Sequence, residues 1–329
     1  MSLVVMGKRG KLVWFLAGCR LGNTKIVERA LVDPVVNPAA DNGNGLNVAC
    51  LNGHAPVVKL LIKDERINPS LQYNKALALA AGSGSLEIVK LLFSDYRVDP
   101  SIGKHARYAC SNGHLHILKE IIIDGRDDLS KKDNINAISA CSKGHLDILK
   151  ELLLDSRVDV TDQQDACIRF AATNGHLDVV KLLLQIKKVN PGAKEQEAIR
   201  RSSSYGFDKV VSELLKDSRV DPAYMENYAI RFASSRGHAN VVKVLLDDSR
   251  VDPSDVENEA IRLASGKGHY AVVQELLKDS RVDPTAKENY AIRTAFKNGK
   301  YDVARLLKQD PRVKDAPLEI DAEMFLNKS

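Results

Sequence analysis

NYAIRFASSRGHANVVKVLLDDSRVDP, at residues 227–253, is followed by NEAIRLASGKGHYAVVQELLKDSRVDP at residues 258–284. The two stretches share an Ala-Ile-Arg start, a Gly-His pair and a final Val-Asp-Pro, and they are displaced by 31 residues. Copies at a fixed period of this length are typical of repeat proteins, in which each unit packs only on its neighbours.

A glycine in the middle of the unit recurs through the whole sequence and marks the repeats. Eight of the nine intervals between successive glycines are 31 residues, and the interval from Gly84 to Gly113 is 29. We predict about ten repeats in one array over residues 1–329, with a capping tail at residues 317–329. The marker glycines are Gly22, Gly53, Gly84, Gly113, Gly144, Gly175, Gly206, Gly237, Gly268 and Gly299.

Each repeat predicts two helices. Asparagines such as Asn227 and Asn258, ten residues before the glycine, are expected to cap the first helix through their side chains. The glycine is expected to end that helix in a left-handed conformation. Apolar residues then follow at helical spacing, and the proline of Val-Asp-Pro ends the second helix. The predicted fold is an all-α solenoid of helix–turn–helix repeats.

The composition places the chain among globular proteins without a transmembrane segment. Hydrophobic residues make up 44%, charged residues 28% and aromatic residues 5%, and the net charge is +5. Within the apolar segment Leu12–Cys19, the residues Leu16–Cys19 resemble a lipoprotein cleavage box, but the segment also fits the repeat register, and we assign it to the first repeat. Cysteines recur three residues before several marker glycines, which indicates buried slots for small side chains and predicts a cytoplasmic location.

The repeat resembles the ankyrin family through the pattern A-x-x-x-G-H-x-x-V-V-K-x-L-L, which begins at Ala171 and at Ala233. Ankyrin repeats usually have 33 residues, and their Thr-Pro-Leu-His entry is replaced here by Tyr228–Arg231. The Asp-Gly turn of the family's finger hairpin is also missing, so we expect short finger loops. This N-x-A-I-R variant is similar to arrays of giant viruses of amoebae and their hosts. The resemblance implies a protein partner bound in a concave groove, with no cofactor and no enzymatic activity.

An arginine six residues before the marker glycine forms a ladder through five consecutive repeats. One interpretation is a basic stripe that grips nucleic acid or another polyanion, since arginine suits phosphates and carboxylates. The other, which we favour, is structural, with each arginine bonded to nearby acids or to backbone carbonyls. The ladder consists of Arg169, Arg200, Arg231, Arg262 and Arg293.

Candidate partner-binding residues are those that depart from the repeat at positions expected to face the groove or the finger tips. Tyrosine and arginine are common among interface residues that contribute most to affinity. The candidates are Tyr205, Tyr224, Met225, Arg236 and Lys267.

No motif for catalysis or metal binding stands out, because the histidines and acids recur with the repeat and not with a ligand spacing. We predict a monomeric scaffold or adaptor that binds a protein, such as a host protein in the host cytoplasm if the source is viral. Polyanion binding through the ladder is the alternative. The 29-residue interval predicts a local irregularity near residues 101–105.

Overall fold

The computed structural model describes residues 7–313, and every regular element in this range is an α-helix. The twenty helices are α1 Lys8–Leu21, α2 Thr24–Leu31, α3 Ala40–Leu51, α4 Ala55–Leu61, α5 Leu71–Ser83, α6 Leu86–Phe93, α7 His105–Asn112, α8 Leu115–Asp124, α9 Lys131–Lys143, α10 Leu146–Leu152, α11 Asp162–Thr173, α12 Leu177–Leu184, α13 Ala193–Tyr205, α14 Asp208–Leu215, α15 Tyr224–Arg236, α16 Ala239–Leu246, α17 Asp255–Lys267, α18 Tyr270–Leu277, α19 Ala286–Lys297 and α20 Tyr301–Gln309. The predicted capping tail at residues 317–329 lies outside the described residues.

The helices form two compact units, the first ending at Val160 and the second beginning at Thr161. The first unit contains α1–α10 and the second contains α11–α20. We call the odd-numbered helices inner and the even-numbered helices outer. Within each unit, every inner helix packs on the next inner helix, and every outer helix packs on the next outer helix. This is the stacking of an ankyrin solenoid, so the predicted fold class is confirmed.

The core lies between the helices of each pair and between neighbouring pairs. In the repeat at residues 227–253, Ala229 and Ile230 of α15 and Val241 and Leu245 of α16 are buried. Alanines on the inner helices let neighbouring backbones approach closely, while valine and leucine of the outer helices fill the remaining space. The helical spacing of these apolar residues therefore has the predicted structural role.

The marker glycine connects the inner helix to the outer helix. Gly237 has a φ of 81°, which is the left-handed region that glycine adopts readily. A Cβ atom at this position would also lie 2.7 Å from Nδ1 of His269, the histidine that follows the next marker glycine. His269 Nε2 donates a hydrogen bond of 3.1 Å to the Ser235 carbonyl of the previous repeat. Glycine is thus needed at this position for two reasons: it adopts the left-handed conformation readily, and it leaves room for the His269 ring.

The expected asparagine caps are wrong, because the inner helices begin differently. In all of them except α1 and α7, the first residue is followed by three consecutive residues in the left-handed region, such as Met225, Glu226 and Asn227 with φ of 54°, 55° and 57°. An N-cap residue is typically extended. Asn227 Oδ1 instead accepts a hydrogen bond of 2.9 Å from the Asp252 amide, 25 residues later. The asparagine ties its helix to the following connection and does not cap it.

Candidate partner-binding site

The arginine ladder lies on the inner helices of the second unit, and its guanidinium groups bond to the left-handed turns. Arg262 donates from Nε to the Glu257 carbonyl and from Nη2 to the Val256 carbonyl, both at 2.9 Å. Arg169 forms the same two bonds, each 2.7 Å long, with the carbonyls five and six residues before it. A guanidinium group has enough donors in one plane to bond two carbonyls at once. The turn and the arginine therefore form one structural unit.

The other side of each guanidinium group is covered from the next repeat, by a residue 28 positions later. Carboxylates and aromatic rings alternate in this role, with ring centroids 5.3 and 5.4 Å from the guanidinium carbon. The covering residues are Glu197 on Arg169, Tyr228 on Arg200, Glu259 on Arg231 and Tyr290 on Arg262. The first four ladder arginines are thus bonded within the chain on both sides.

Arg293 is placed differently from the rest of the ladder. Its side chain is 48% exposed, whereas that of Arg169 is 5% exposed. The Glu288 carboxylate is 3.8 Å from Arg293 Nη1, which is too long for a hydrogen bond. Only this end of the ladder presents a guanidinium group largely open to solvent.

Tyr205 and Arg236 form a pair at the carboxyl-terminal ends of α13 and α15. The guanidinium carbon of Arg236 lies 5.4 Å from the centroid of the Tyr205 ring, and Nη1 donates to the Ser204 carbonyl at 3.1 Å. The tyrosine nevertheless remains 46% exposed. Cation–π contact and the hydrogen bond hold these two side chains in place while they still face solvent.

Lys267 extends this pair by one repeat. From the end of α17 its Nζ donates a hydrogen bond of 2.7 Å to Ser235 Oγ, in the residue just before Arg236. The three residues that directly precede successive marker glycines therefore follow one another along the stack, and Arg236 and Lys267 are each held by a contact with the preceding repeat. We call Tyr205, Arg236 and Lys267 the terminal row.

Tyr224 and Met225 lie apart from the terminal row, at the opposite end of α15. The Tyr224 ring centroid is 5.9 Å from the guanidinium carbon of Arg200, and Met225 is 50% exposed in the left-handed turn. They are the first two of the 13 residues of α15, and Arg236 is the last. The five sequence-predicted residues therefore form two groups and not one patch.

Two aromatic residues that sequence reasoning missed occupy the same helix between these groups. Tyr228 and Phe232 are stacked with ring centroids 3.8 Å apart and an interplanar angle of 12°. Tyr228, Phe232 and Arg236 are spaced by four residues and so share one face of α15. The four-residue spacing is visible in the sequence. It did not single out these residues, because Tyr228 falls at the start of the inner helix, where the repeated Ala-Ile-Arg pattern begins.

The Asp-Ser-Arg segments form hydrogen-bonded clamps between repeats. Arg250 donates to both carboxylate oxygens of Asp248, at 2.9 and 2.6 Å. It also donates to the Val220 and Leu215 carbonyls of the preceding repeat, at 2.8 and 2.9 Å. Hydrogen bonding from this arginine holds the pKa of Asp248 below its ordinary value of 3.8. These acids are structural, as their periodicity indicated.

The remaining polar and thiol groups of the described range were compared with the requirements of a metal site, a reactive thiol and a membrane span. Within residues 7–313, no three His, Cys, Asp or Glu side chains are arranged to hold a metal ion. Burial raises the pKa of the Cys19 and Cys110 thiols to about 12, which disfavours the reactive thiolate. In the same part of the chain, no helix has the length and apolar character needed to cross a membrane.

Comparison with known proteins agrees with this architecture. A family model described as ankyrin repeats, in three copies, matches residues 14–103, 106–195 and 168–257. No curated protein matches the chain significantly. The three matched ranges cover most of the helix pairs in both units, and ankyrin repeats are generally modules for protein–protein interaction. The chain belongs to the ankyrin repeat family.

Proposed function

We propose that this protein is a scaffold or adaptor that binds a partner protein on the inner-helix face of the second unit, which in this family lines a concave groove. Tyr205, Arg236 and Lys267 would make central contacts, and Tyr224 and Met225 would contact the same partner from the left-handed turn. The chain would act as a monomer in the cytoplasm. The five buried free cysteines fit a reducing compartment of this kind.

The observation that carries the proposal is the ordering of the terminal row. An interface gains affinity when its side chains are held in place before binding, because less conformational entropy is lost. Tyr205 and Arg236 are fixed by their mutual contact and by the Ser204 carbonyl, while the tyrosine ring stays exposed. An exposed aromatic ring with one cation against it and a second cation in the next repeat suits a partner surface that combines an apolar side chain with carboxylates.

Polyanion binding by the ladder has less support. Arg169, Arg200, Arg231 and Arg262 are covered by carboxylates or rings of the next repeat and bonded to carbonyls of their own turns. A phosphate would have to displace these internal contacts. It would also approach the two ladder carboxylates, Glu197 and Glu259, that already neutralise part of the charge.

The test is affinity capture from a cell lysate, with and without nuclease, with the wild-type chain and two triple variants as baits. The first variant is Tyr205→Ala, Arg236→Ala and Lys267→Ala. The second is a matched control that removes one exposed tyrosine and two exposed lysines from outer helices of the same unit. The control substitutions are Tyr270→Ala, Lys243→Ala and Lys209→Ala.

The proposal expects a nuclease-resistant protein that is retained by the wild type and the control variant and lost with the terminal-row variant. Direct titration of that purified protein should then show at least a tenfold weaker affinity for the terminal-row variant, roughly the effect of losing one strong interface residue. Equal capture by all three baits would refute the assigned surface. Recovery that disappears with nuclease would instead favour the ladder.

A further inference from the structure

The shortened repeat of the first unit differs from its neighbours at the start of its inner helix. Helix α7 has 8 residues and lacks the left-handed triplet that begins α5 and α9. Gly103, in the loop before it, has a φ of 106°, and a Cβ atom there would lie 2.8 Å from the Tyr73 carbonyl oxygen. The two missing residues therefore bring this loop against the turn of the preceding repeat.

A pocket of about 660 Å³ opens beside this contact. Its apolar wall includes Tyr73, Ile102 and Tyr108, and its rim carries Lys75, Lys104 and Lys132. All three of these apolar residues are also among the exposed large hydrophobic residues of the chain. The volume lies within the ordinary range for ligand pockets in proteins.

The rim lysines have no partner of their own in the described part of the chain. Lys131, a fourth lysine at the pocket, donates to the Ser101 carbonyl at 3.0 Å and is ion-paired with the buried Asp127. Lys75, Lys104 and Lys132 have no ion pair and no side-chain hydrogen bond within residues 7–313. The positive charge of the rim is therefore available to a ligand.

The missing triplet also changes the role of the arginine in the ladder position of this repeat. Arg107 lies six residues before Gly113, as Arg169 does before Gly175. Arg169 bonds to two carbonyls of its left-handed turn, but α7 has no such turn, and Arg107 is exposed without a side-chain bond in the described range. Arg107 lines a smaller pocket that shares Lys104 and Lys132 with the first. The basic surface thus continues beyond the rim.

We infer that this pocket binds an acidic peptide segment in which an apolar side chain is flanked by carboxylates. The apolar side chain would pack between Tyr73 and Tyr108, and the carboxylates would pair with Lys75, Lys104 and Lys132. This site is independent of the terminal row, because every residue in it belongs to the first unit.

An extended peptide fits the distribution of charge better than a single phosphate group does. The cations are carried by three successive repeats, at α5, before α7 and in α9. Packed helices are about 8–10 Å apart, and an extended chain advances about 3.3 Å per residue. Acids at every third residue would therefore meet one repeat each, whereas a single phosphate needs cations that converge on one point.

Isothermal titration calorimetry of the full chain with unlabelled peptides tests the inference. The main probe is acetyl-EGSDFSEGSD-amide, with acids at every third residue and one phenylalanine. The matched probes replace every acid with lysine, replace the phenylalanine with glycine, or cluster the same acids at one end. ATP is titrated separately as a phosphate-bearing aromatic anion.

We expect the main peptide to bind and each of the three altered peptides to bind at least about fivefold more weakly. The variant Lys75→Ala, Lys104→Ala, Lys132→Ala should lose about tenfold in affinity for the main peptide, since three exposed charge pairs are removed. Tyr108→Ala should weaken it as well. Lys59→Ala, an exposed lysine of the outer helix α4, should leave the affinity unchanged.

The inference is overturned if the main peptide does not bind the wild-type chain, or if the lysine-containing peptide binds equally well. It is also overturned if ATP binds with the same dependence on the three lysines while the peptide does not, which would assign the pocket to a nucleotide. Circular dichroism melting of each variant separates loss of binding from loss of folding. The three lysines are exposed, so their variant is expected to melt like the wild type.

Discussion

Two arginines with the same local sequence should contribute very differently to stability. Arg157 and Arg250 both end an Asp-Ser-Arg segment and both pair with the aspartate two residues earlier. Arg250 also reaches two carbonyls of the preceding repeat, at 2.8 and 2.9 Å. The bonds of Arg157 are confined to Asp155, with Asp128 at 3.8 Å, and its side chain is 59% exposed. Replacing each arginine by alanine therefore separates the stability contributed by hydrogen bonds between repeats from that of the local aspartate–arginine pair.

The expected loss for Arg250→Ala is about 2 kcal/mol in the free energy of unfolding. Each hydrogen bond to a carbonyl contributes about 1 kcal/mol net, near the middle of the usual range. The pair with Asp248 adds little, because the Arg250 side chain is 37% exposed and solvent screens the interaction. Arg157→Ala should cause a clearly smaller loss, since it removes no hydrogen bond between repeats and its 3.8 Å contact with Asp128 is exposed to solvent.

Urea unfolding followed by circular dichroism at 222 nm measures both variants against the wild type. Amide hydrogen exchange at residues 215–220 adds a local readout, because only Arg250→Ala releases the Leu215 and Val220 carbonyls. Exchange there should accelerate in Arg250→Ala and not in Arg157→Ala. Equal destabilisation by the two substitutions would refute the assignment of stability to the bonds between repeats.

Three further results are expected. Val256→Asn should raise the free energy of unfolding by about 1 kcal/mol, because a β-branched residue is strained at a φ of 52° and asparagine is not. The control Val244→Asn within α16 should lower the free energy of unfolding, and thermal melts compare the two variants. The five buried cysteines should not react with a thiol reagent at pH 8 until a denaturant is added, as absorbance would show. The melting temperature should fall as the pH drops below about 4. The stability that Asp248 contributes is complete above the unfolded pKa of this carboxyl group, and it is lost as the pH falls through the lowered folded pKa. The fall in melting temperature should therefore be shallower in Asp248→Asn.

The fold could be predicted from the sequence because the period is visible without knowledge of any contact. The spacing of Gly206, Gly237 and Gly268 fixes where each helix pair turns, and the apolar residues between them show helical periodicity. The start of the inner helix could not be predicted in the same way. Asparagine is common both as an N-cap and in the left-handed region, so Asn227 alone does not distinguish the two.

The candidate site was only partly accessible from the sequence. Tyr205 and Arg236 departed from the repeat and were identified for that reason, but their contact across repeats depends on how α13 and α15 stack. The 29-residue interval predicted an irregularity near residue 103. That this irregularity forms a pocket follows from Gly103 packing against the Tyr73 carbonyl, a contact between segments 30 positions apart that no periodicity shows.

The irregular repeat also has a consequence for how the chain finds its native pairing during folding. In an array of near-identical units, a repeat can stack on the wrong copy, and such misassembly is a characteristic failure of repeat proteins. The loop at Gly103 lies against the turn at Tyr73 so closely that a Cβ atom at position 103 would be 2.8 Å from that carbonyl oxygen. This contact distinguishes one interface from all its copies in the first unit. The short interval beside the pocket thereby also favours the correct pairing of the surrounding repeats during folding.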